Sequence, residues 1–198
     1  MDKPSNDSVA TYFRRSVTTL ERAASDEKLH RTIRTIADLI ETAFRSGNKL
    51  MIAGNGGSAG DAQHVAGEFL SRLNFDRAPL PAIALSTDTS VLTAIGNDYG
   101  FEHVFERQIR GLGKRGDGLL AISTSGRSPN ILAALRAARE LGITTMGFTG
   151  AEGGAMKDVC DVCLFAPSQE TPLIQQIHIT AAHIVCNLVE TSMFGKRA

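Results

Sequence analysis

Residues 49–61 read Lys-Leu-Met-Ile-Ala-Gly-Asn-Gly-Gly-Ser-Ala-Gly-Asp. The apolar run Lys49 to Ala53 is short enough for a strand buried on both faces, and a helix is predicted from residue 58 to 73. Between them, Gly54-Asn55-Gly56-Gly57 lets the backbone come close to a ligand, and free N–H groups at a helix start favour an anion. Such a loop also serves as a tight turn with no ligand. No Gly-Lys-Ser/Thr follows it, which excludes a P-loop, and the full dinucleotide spacing is missing.

Working outward, the same texture recurs. Apolar runs at Ala82 to Leu85, Leu119 to Ser123, Thr144 to Phe148 and Val162 to Phe165 alternate with segments of helical spacing at 101–112, 129–141 and 172–193. Five strands alternating with helices predict an α/β fold, a parallel sheet covered on both faces. Upstream, Val9, Phe13, Val17 and Leu20, then Leu29, Ile33, Ile36, Leu39, Ile40 and Phe44, mark two helices over 8–46, a helical arm joined near residue 47 to the sheet core. Ser25 is the expected N-cap of the second helix and Gly47-Asn48 its end.

The 198 residues are 42% apolar and read as one globular domain. Lys and Arg number 21 and Asp and Glu 21, so zero net charge gives no electrostatic case for nucleic acid or an anionic membrane as partner. Met1 to Asp7 is polar without an apolar h-region, and Ile177 to Val189 is interrupted by His178, Thr180, His183 and Asn187. A cytoplasmic protein is expected. The three cysteines are expected to be reduced thiols. Cys160-x-x-Cys163 has the spacing of a zinc or redox motif but no second pair, and is read as structural; Cys186 is read as core or interface.

A second polar turn, Ser123-Thr124-Ser125-Gly126-Arg127-Ser128-Pro129-Asn130, follows the third strand. Ser128 is placed to cap a helix beginning at Pro129. Each hydroxyl taken singly is an ordinary turn former. Two such turns at the carboxyl ends of strands in an open parallel sheet indicate a phosphate-bearing ligand.

On the helix after the glycine loop, Ala62, Val65, Ala66, Phe69 and Leu73 form the core stripe. At about 100° per residue, Asp61, His64, Glu68 and Arg72 gather on another side. A solvated Glu68–Arg72 ion pair would account for that stripe on any helix. Its place beside the anion loop adds metal ligation or acid–base work by His64 and Glu68. In the last helix, Ile174, Ile177, Ala181, Ile184, Val185 and Leu188 form the apolar stripe, with His178 at its margin as a packed or partner-facing residue. Spacing gives His183 and Gln175 no role. His30 and His103 are read as surface residues.

Ala53-Gly54-Asn55-Gly56-Gly57-Ser58-Ala59, Asp61-Ala62-Gln63-His64, Thr93 to Tyr99, Ser123-Thr124-Ser125-Gly126 and the helix carrying Ile174-Gln175 and His183 together resemble the phosphoheptose isomerase family of SIS domains. The likeness runs from about residue 10 to Gly195 with the motifs in family order. It implies a three-layer sandwich with a five-stranded parallel sheet, and conversion of D-sedoheptulose 7-phosphate into D-glycero-D-manno-heptose 7-phosphate, the first step toward the heptose of bacterial surface glycans. It also implies a homotetramer with active sites between subunits.

Carried onto this chain, the resemblance gives Asn55, Gly56 and Gly57 lining the sugar phosphate, Asn97 and Asp98 touching it, and Ser123, Thr124, Ser125 and Ser128 holding phosphate. His64, Glu68, Gln175 and His183 match the positions that hold one zinc per subunit or act as acid and base. Glu68 is the expected base, His183 its partner, and Arg72 the neutralising cation. The chain departs from the family at Gln176, where Glu is usual. A non-catalytic SIS protein, similar to bacterial adaptors that bind a replication initiator, shares the two turns, and an isomerase of another sugar phosphate is a further reading.

Overall fold

The computed structural model describes residues 8–195; the polar stretch Met1 to Asp7 lies outside them. Two helices, α1 (Ser8–Ala24) and α2 (Glu27–Arg45), precede the sheet. The strands are β1 (Leu50–Gly54), β2 (Ala82–Ala84), β3 (Gly118–Ile122), β4 (Thr144–Thr149) and β5 (Val162–Phe165). All pair in parallel, in the order β2-β1-β3-β4-β5. The remaining helices are α3 (Gly57–Leu70), α4 (Thr89–Asp98), α5 (Glu106–Leu112), α6 (Pro129–Glu140) and α7 (Thr171–Phe194).

Strand alternation divides the core in two. Leu50, Ile52, Leu120, Ile122, Met146 and Phe148 face α2, α3 and α7, whereas Met51, Ala53, Leu119 and Ala121 face α5 and α6. With both faces covered, β1 and β3 have no exposed residue, which is why each reads as an unbroken apolar run. Among the described residues no helix is long and apolar enough to cross a membrane.

Several boundaries differ from the sequence reading. The N-cap of α2 is Asp26, not Ser25: its carboxylate accepts from the N–H groups of Lys28 (2.9 Å) and Leu29 (3.0 Å). A negative cap suits the positive end of the helix dipole, and the Ser25 hydroxyl instead donates back to the Glu21 carbonyl. The segment 101–112 is broken into a 3-10 turn at Phe101–His103 and α5, with Val104 and Phe105 buried at the break. There the Gln108 amide donates to the carbonyls of Leu85 and Val104.

Helix α4 was not foreseen. None of its residues is buried, so it carries no core-facing period. His30 and His103 are half-buried rather than surface residues: His30 meets the Ala23 carbonyl, and His103 lies between the carboxylates of Glu102 and Glu106.

Candidate active site

Strands β1 and β3 are neighbours although β2 intervenes in sequence, which makes the gap between their carboxyl ends the topological switch point of the sheet. Ligands of open parallel sheets bind in the crevice at such a point. The glycine loop leaves β1 there and the hydroxyl loop leaves β3. The two are fastened together: the Asn55 amide donates to Asn130 Oδ1 (2.9 Å), and the Asn130 amide donates to Asn55 Oδ1 (2.8 Å). Asn55 therefore spends its side chain on this bridge and offers the crevice its backbone. Asn130 stands in the second polar turn, but its pairing with Asn55 could not be read from the sequence because the two lie 75 positions apart.

Gly56 has φ +55° and ψ −123° at the N-cap of α3, a conformation that favours glycine. Gly57 is required for a different reason. A Cβ at that position would run into the side-chain amide of Gln175, which reaches over from α7 and rests on the loop.

In the hydroxyl loop, Ser123 is buried and its Oγ lies 3.1 Å from that of Ser128. Ser128 is indeed the N-cap residue of α6, but its hydroxyl caps no N–H; it faces Ser123 instead. Ser125 is exposed and accepts from the Arg127 N–H (3.2 Å). Thr124, Ser125, Arg127, Gly150, Ser168 and Ile174 line a cleft of about 240 Å³ between the ends of β3 and β4 and the start of α7. Arg127 is paired with Glu152 at 2.8 Å.

Helix α3 carries the acid–base stripe against α7. His64 Nε2 is 3.2 Å from Glu68 Oε1 and 2.8 Å from His183 Nε2. One imidazole donates and the other accepts, and the rings meet edge to face. The three ligand atoms lie within 4.8 Å of one another. Two imidazoles and one carboxylate are a donor set suited to a catalytic zinc, which keeps a position open for substrate. Glu68 thus pairs with His64 and not with Arg72.

Arg72 lies outside α3, which ends at Leu70 rather than continuing to residue 73. The helix stops because the Arg77 guanidinium reaches back and donates to the carbonyls of Glu68 (2.8 Å), Phe69 (2.7 Å) and Ser71 (3.1 Å). Arg77 is in turn paired with buried Glu190 at 3.0 Å. The exposed Arg72 follows the helix end, and Asn97 and Asp98 are exposed at the end of α4, hydrogen-bonded to each other.

Asp61, one turn before His64, is half-buried and has one carboxylate oxygen enclosed without a partner among the described residues. Burial raises its pKa against the opposing pull of His64. Gln176 likewise encloses an unpartnered amide oxygen. His178 is fully buried: Nε2 lies 3.1 Å from the Thr149 carbonyl, and desolvation lowers its pKa to about 4, so it is a packed neutral histidine.

Comparison with known proteins agrees with this architecture. The SIS domain family model matches residues 11–150. A phosphoheptose isomerase of Bradyrhizobium sp. strain BTAi1 is 58% identical over 193 residues, 98% of each chain. One from Burkholderia pseudomallei is 54% identical, covering 94% of this chain and 97% of the other. Among solved structures, the phosphoheptose isomerase of Francisella tularensis superposes with a TM-score of 0.91 at 35% identity, covering 96% of this chain and all of that one. That of Neisseria gonorrhoeae gives 0.88 at 40% identity, covering 93% and 98%. The chain is a member of the phosphoheptose isomerase family of SIS-domain proteins.

Proposed function

We propose that the protein is an aldose–ketose isomerase that converts D-sedoheptulose 7-phosphate into D-glycero-D-manno-heptose 7-phosphate, the first step of bacterial heptose biosynthesis. One observation carries the reading: a two-histidine, one-carboxylate cluster stands at the α3–α7 contact, on the helix that begins in the glycine loop at the carboxyl end of β1.

Ser123, Thr124, Ser125 and Ser128 hold the phosphate, with the N-terminal N–H groups of α6 adding their partial positive charge. Backbone at Asn55, Gly56 and Gly57 lines the sugar, Asn97 and Asp98 contact it, and Arg72 balances the charge of Glu68 or the substrate. Moving the carbonyl from C2 to C1 needs a base for the carbon-bound proton, a carrier for the oxygen-bound one, and stabilisation of the enediolate between them. Glu68 takes the proton from C1 and returns it to C2. His183 serves the oxygens and the opening of the ring.

The donor set fits one zinc per subunit: His64, Glu68 and His183 would hold it, and the amide of Gln175 would stand as a further donor at the position open to substrate. Bound there, zinc would polarise the carbonyl and its neighbouring hydroxyl. A carboxylate has two oxygens, so ligation by one leaves the other for the proton.

The assembly we propose is a homotetramer. Helix α1 turns Ser16 and Thr19 inward and leaves Val9, Phe13 and Val17 exposed, the reverse of a lone amphipathic helix. Free thiols and a phosphorylated substrate fit a cytoplasmic enzyme. Incubation with sedoheptulose 7-phosphate and identification of the product by NMR test the reading. Formation of the heptose 7-phosphate aldose is expected. Binding without turnover would replace the enzyme with a sugar-phosphate-binding adaptor, and turnover of a different sugar phosphate alone would replace the substrate.

A further inference from the structure

Cys160 and Cys163 lie away from the acid–base cluster, yet close beneath the hydroxyl loop. Cys160 follows the 3-10 turn Gly154–Asp158, and Cys163 lies in the edge strand β5. The two sulfurs converge on one point beside β4, and the Cys163 thiol also meets the Leu164 carbonyl at 4.0 Å. Gly147 in β4 makes room for them: a Cβ there would stand 2.7 Å from the Cys160 sulfur, 3.0 Å from the Cys163 sulfur and 2.9 Å from Cε of Met156. Both are free thiols and partly exposed.

The pair is wired to the loop by backbone. The Cys160 N–H donates to the Met156 carbonyl (2.9 Å), and the Met156 N–H donates to the Gly126 carbonyl (3.1 Å). The Gly126 N–H donates to the Ser123 carbonyl (3.0 Å). Gly153 presses so closely on Gly126 that a Cβ at Gly126 would overlap its carbonyl, so the turn and the loop move together.

We propose that Cys160 and Cys163 form a reversible dithiol–disulfide site beneath the hydroxyl loop, and that closing the disulfide slackens the loop's hold on phosphate. Cys163, in the edge strand β5, is the attacking sulfur. The neighbouring Cys160 holds the Cys163 thiol below its ordinary value against the effect of burial, and Cys163 in turn raises Cys160. With hydrogen peroxide, the Cys163 thiolate attacks one oxygen, the O–O bond breaks, and the departing hydroxide takes a proton to become water. The Cys160 sulfur then attacks the resulting sulfenic sulfur, the S–O bond breaks, and the thiol proton leaves with that oxygen as a second water. Two thiols are oxidised and one peroxide is reduced; a dithiol reductant reverses the change. Closing the bond pulls the two sulfurs together, and the displacement of Cys160 passes through the Met156 carbonyl and N–H to Gly126.

The test is peroxide titration of the full chain, read by intact mass, by peptide mapping and by KM. We expect loss of two hydrogens per subunit, a cross-link between Cys160 and Cys163, recovery with dithiothreitol, and the same behaviour in Cys186→Ser. Cys163→Ser should not form the bond. Oxidation should raise KM for the sugar phosphate roughly fivefold, about the value of one hydrogen bond, with kcat little changed. The KM readout rests on the isomerase reading and the mass readout does not; turnover by the reduced protein keeps that reading whatever the cysteines do. Sulfinic adducts without a disulfide, pairing with Cys186 or between chains, or a disulfide that leaves KM unchanged would each overturn the proposal.

Discussion

The Nε2 atoms of His64 on α3 and His183 on α7 are 2.8 Å apart, although 119 positions separate the two residues in the chain. Two imidazole nitrogens in contact, with the Glu68 carboxylate 3.2 Å from one of them, gather a ligand set suited to a divalent ion. Protein purified without chelator should therefore carry close to one zinc per subunit by elemental analysis. His183→Gln should lose most of it while keeping its circular dichroism. Full activity after exhaustive chelation would remove the metal from the account and leave only acid–base work to these side chains.

Gly57→Ala separates geometry from stability. Alanine is a better helix former than glycine in the first turn of α3, so the melting temperature should not fall. Its methyl would push the flexible Gln175 amide off the loop. A drop of roughly tenfold or more in kcat/KM with unchanged melting is the expected result. Undiminished activity would show that Gln175 need not rest there.

The hydroxyl loop is tested by Ser123→Ala combined with Ser125→Ala. Hydrogen bonds to a charged phosphate contribute about 1.5–3 kcal/mol each, so KM should rise by roughly two orders of magnitude or more for the pair. Inhibition by inorganic phosphate should weaken in parallel. Unchanged affinity would move the phosphate elsewhere.

Buried Glu190 anchors the end of α3. Burial alone would raise its pKa, but the N–H groups of Leu73 and Asn74 and the Arg77 guanidinium prevail and lower it. A depressed folded-state pKa means that the carboxylate contributes stability above its ordinary value of 4.5, and that this contribution is lost as pH falls through the lower folded value. Glu190→Gln leaves Arg77 buried without its counter-charge and should cost about 3–5 kcal/mol at pH 7. The loss relative to wild type should shrink in acid, as measured by urea unfolding at several pH values. A pH-independent difference would contradict the ion-pair origin.

Phe13→Asp combined with Val17→Asp should dissociate the assembly, because both side chains are exposed on α1 in the isolated chain. Light scattering at micromolar concentration should report a tetramer for wild type and smaller species for the variant. A wild-type monomer with full activity would contradict both the assembly and active sites shared between subunits.

What the sequence disclosed follows from which residues are buried. Strands β1 and β3 read clearly because both faces are covered and no polar residue interrupts them. Helix α4 escaped because it buries nothing, and its apolar residues therefore obey no period. The end of α3 at Leu70 was hidden since its carbonyls are taken by Arg77, a residue in the following loop and paired to Glu190 on the last helix. The site was legible in parts. Each loop announced itself through glycines or hydroxyls at a strand end, but the Asn55–Asn130 bridge and the approach of His183 to His64 are products of the sheet order. Spacing alone left His183 without a role; only its family motif singled it out.

The central claim is that Glu68 moves a carbon-bound proton. Wild-type protein and Glu68→Gln should be incubated with sedoheptulose 7-phosphate in deuterium oxide, and the C1 protons followed by NMR. The amide keeps the shape and removes the proton acceptor, so Glu68→Gln should bind substrate while its exchange rate falls by about two orders of magnitude or more. Wild type should exchange C1 hydrogen and form the aldose. Exchange at the normal rate in Glu68→Gln, or none in wild type, would contradict the account.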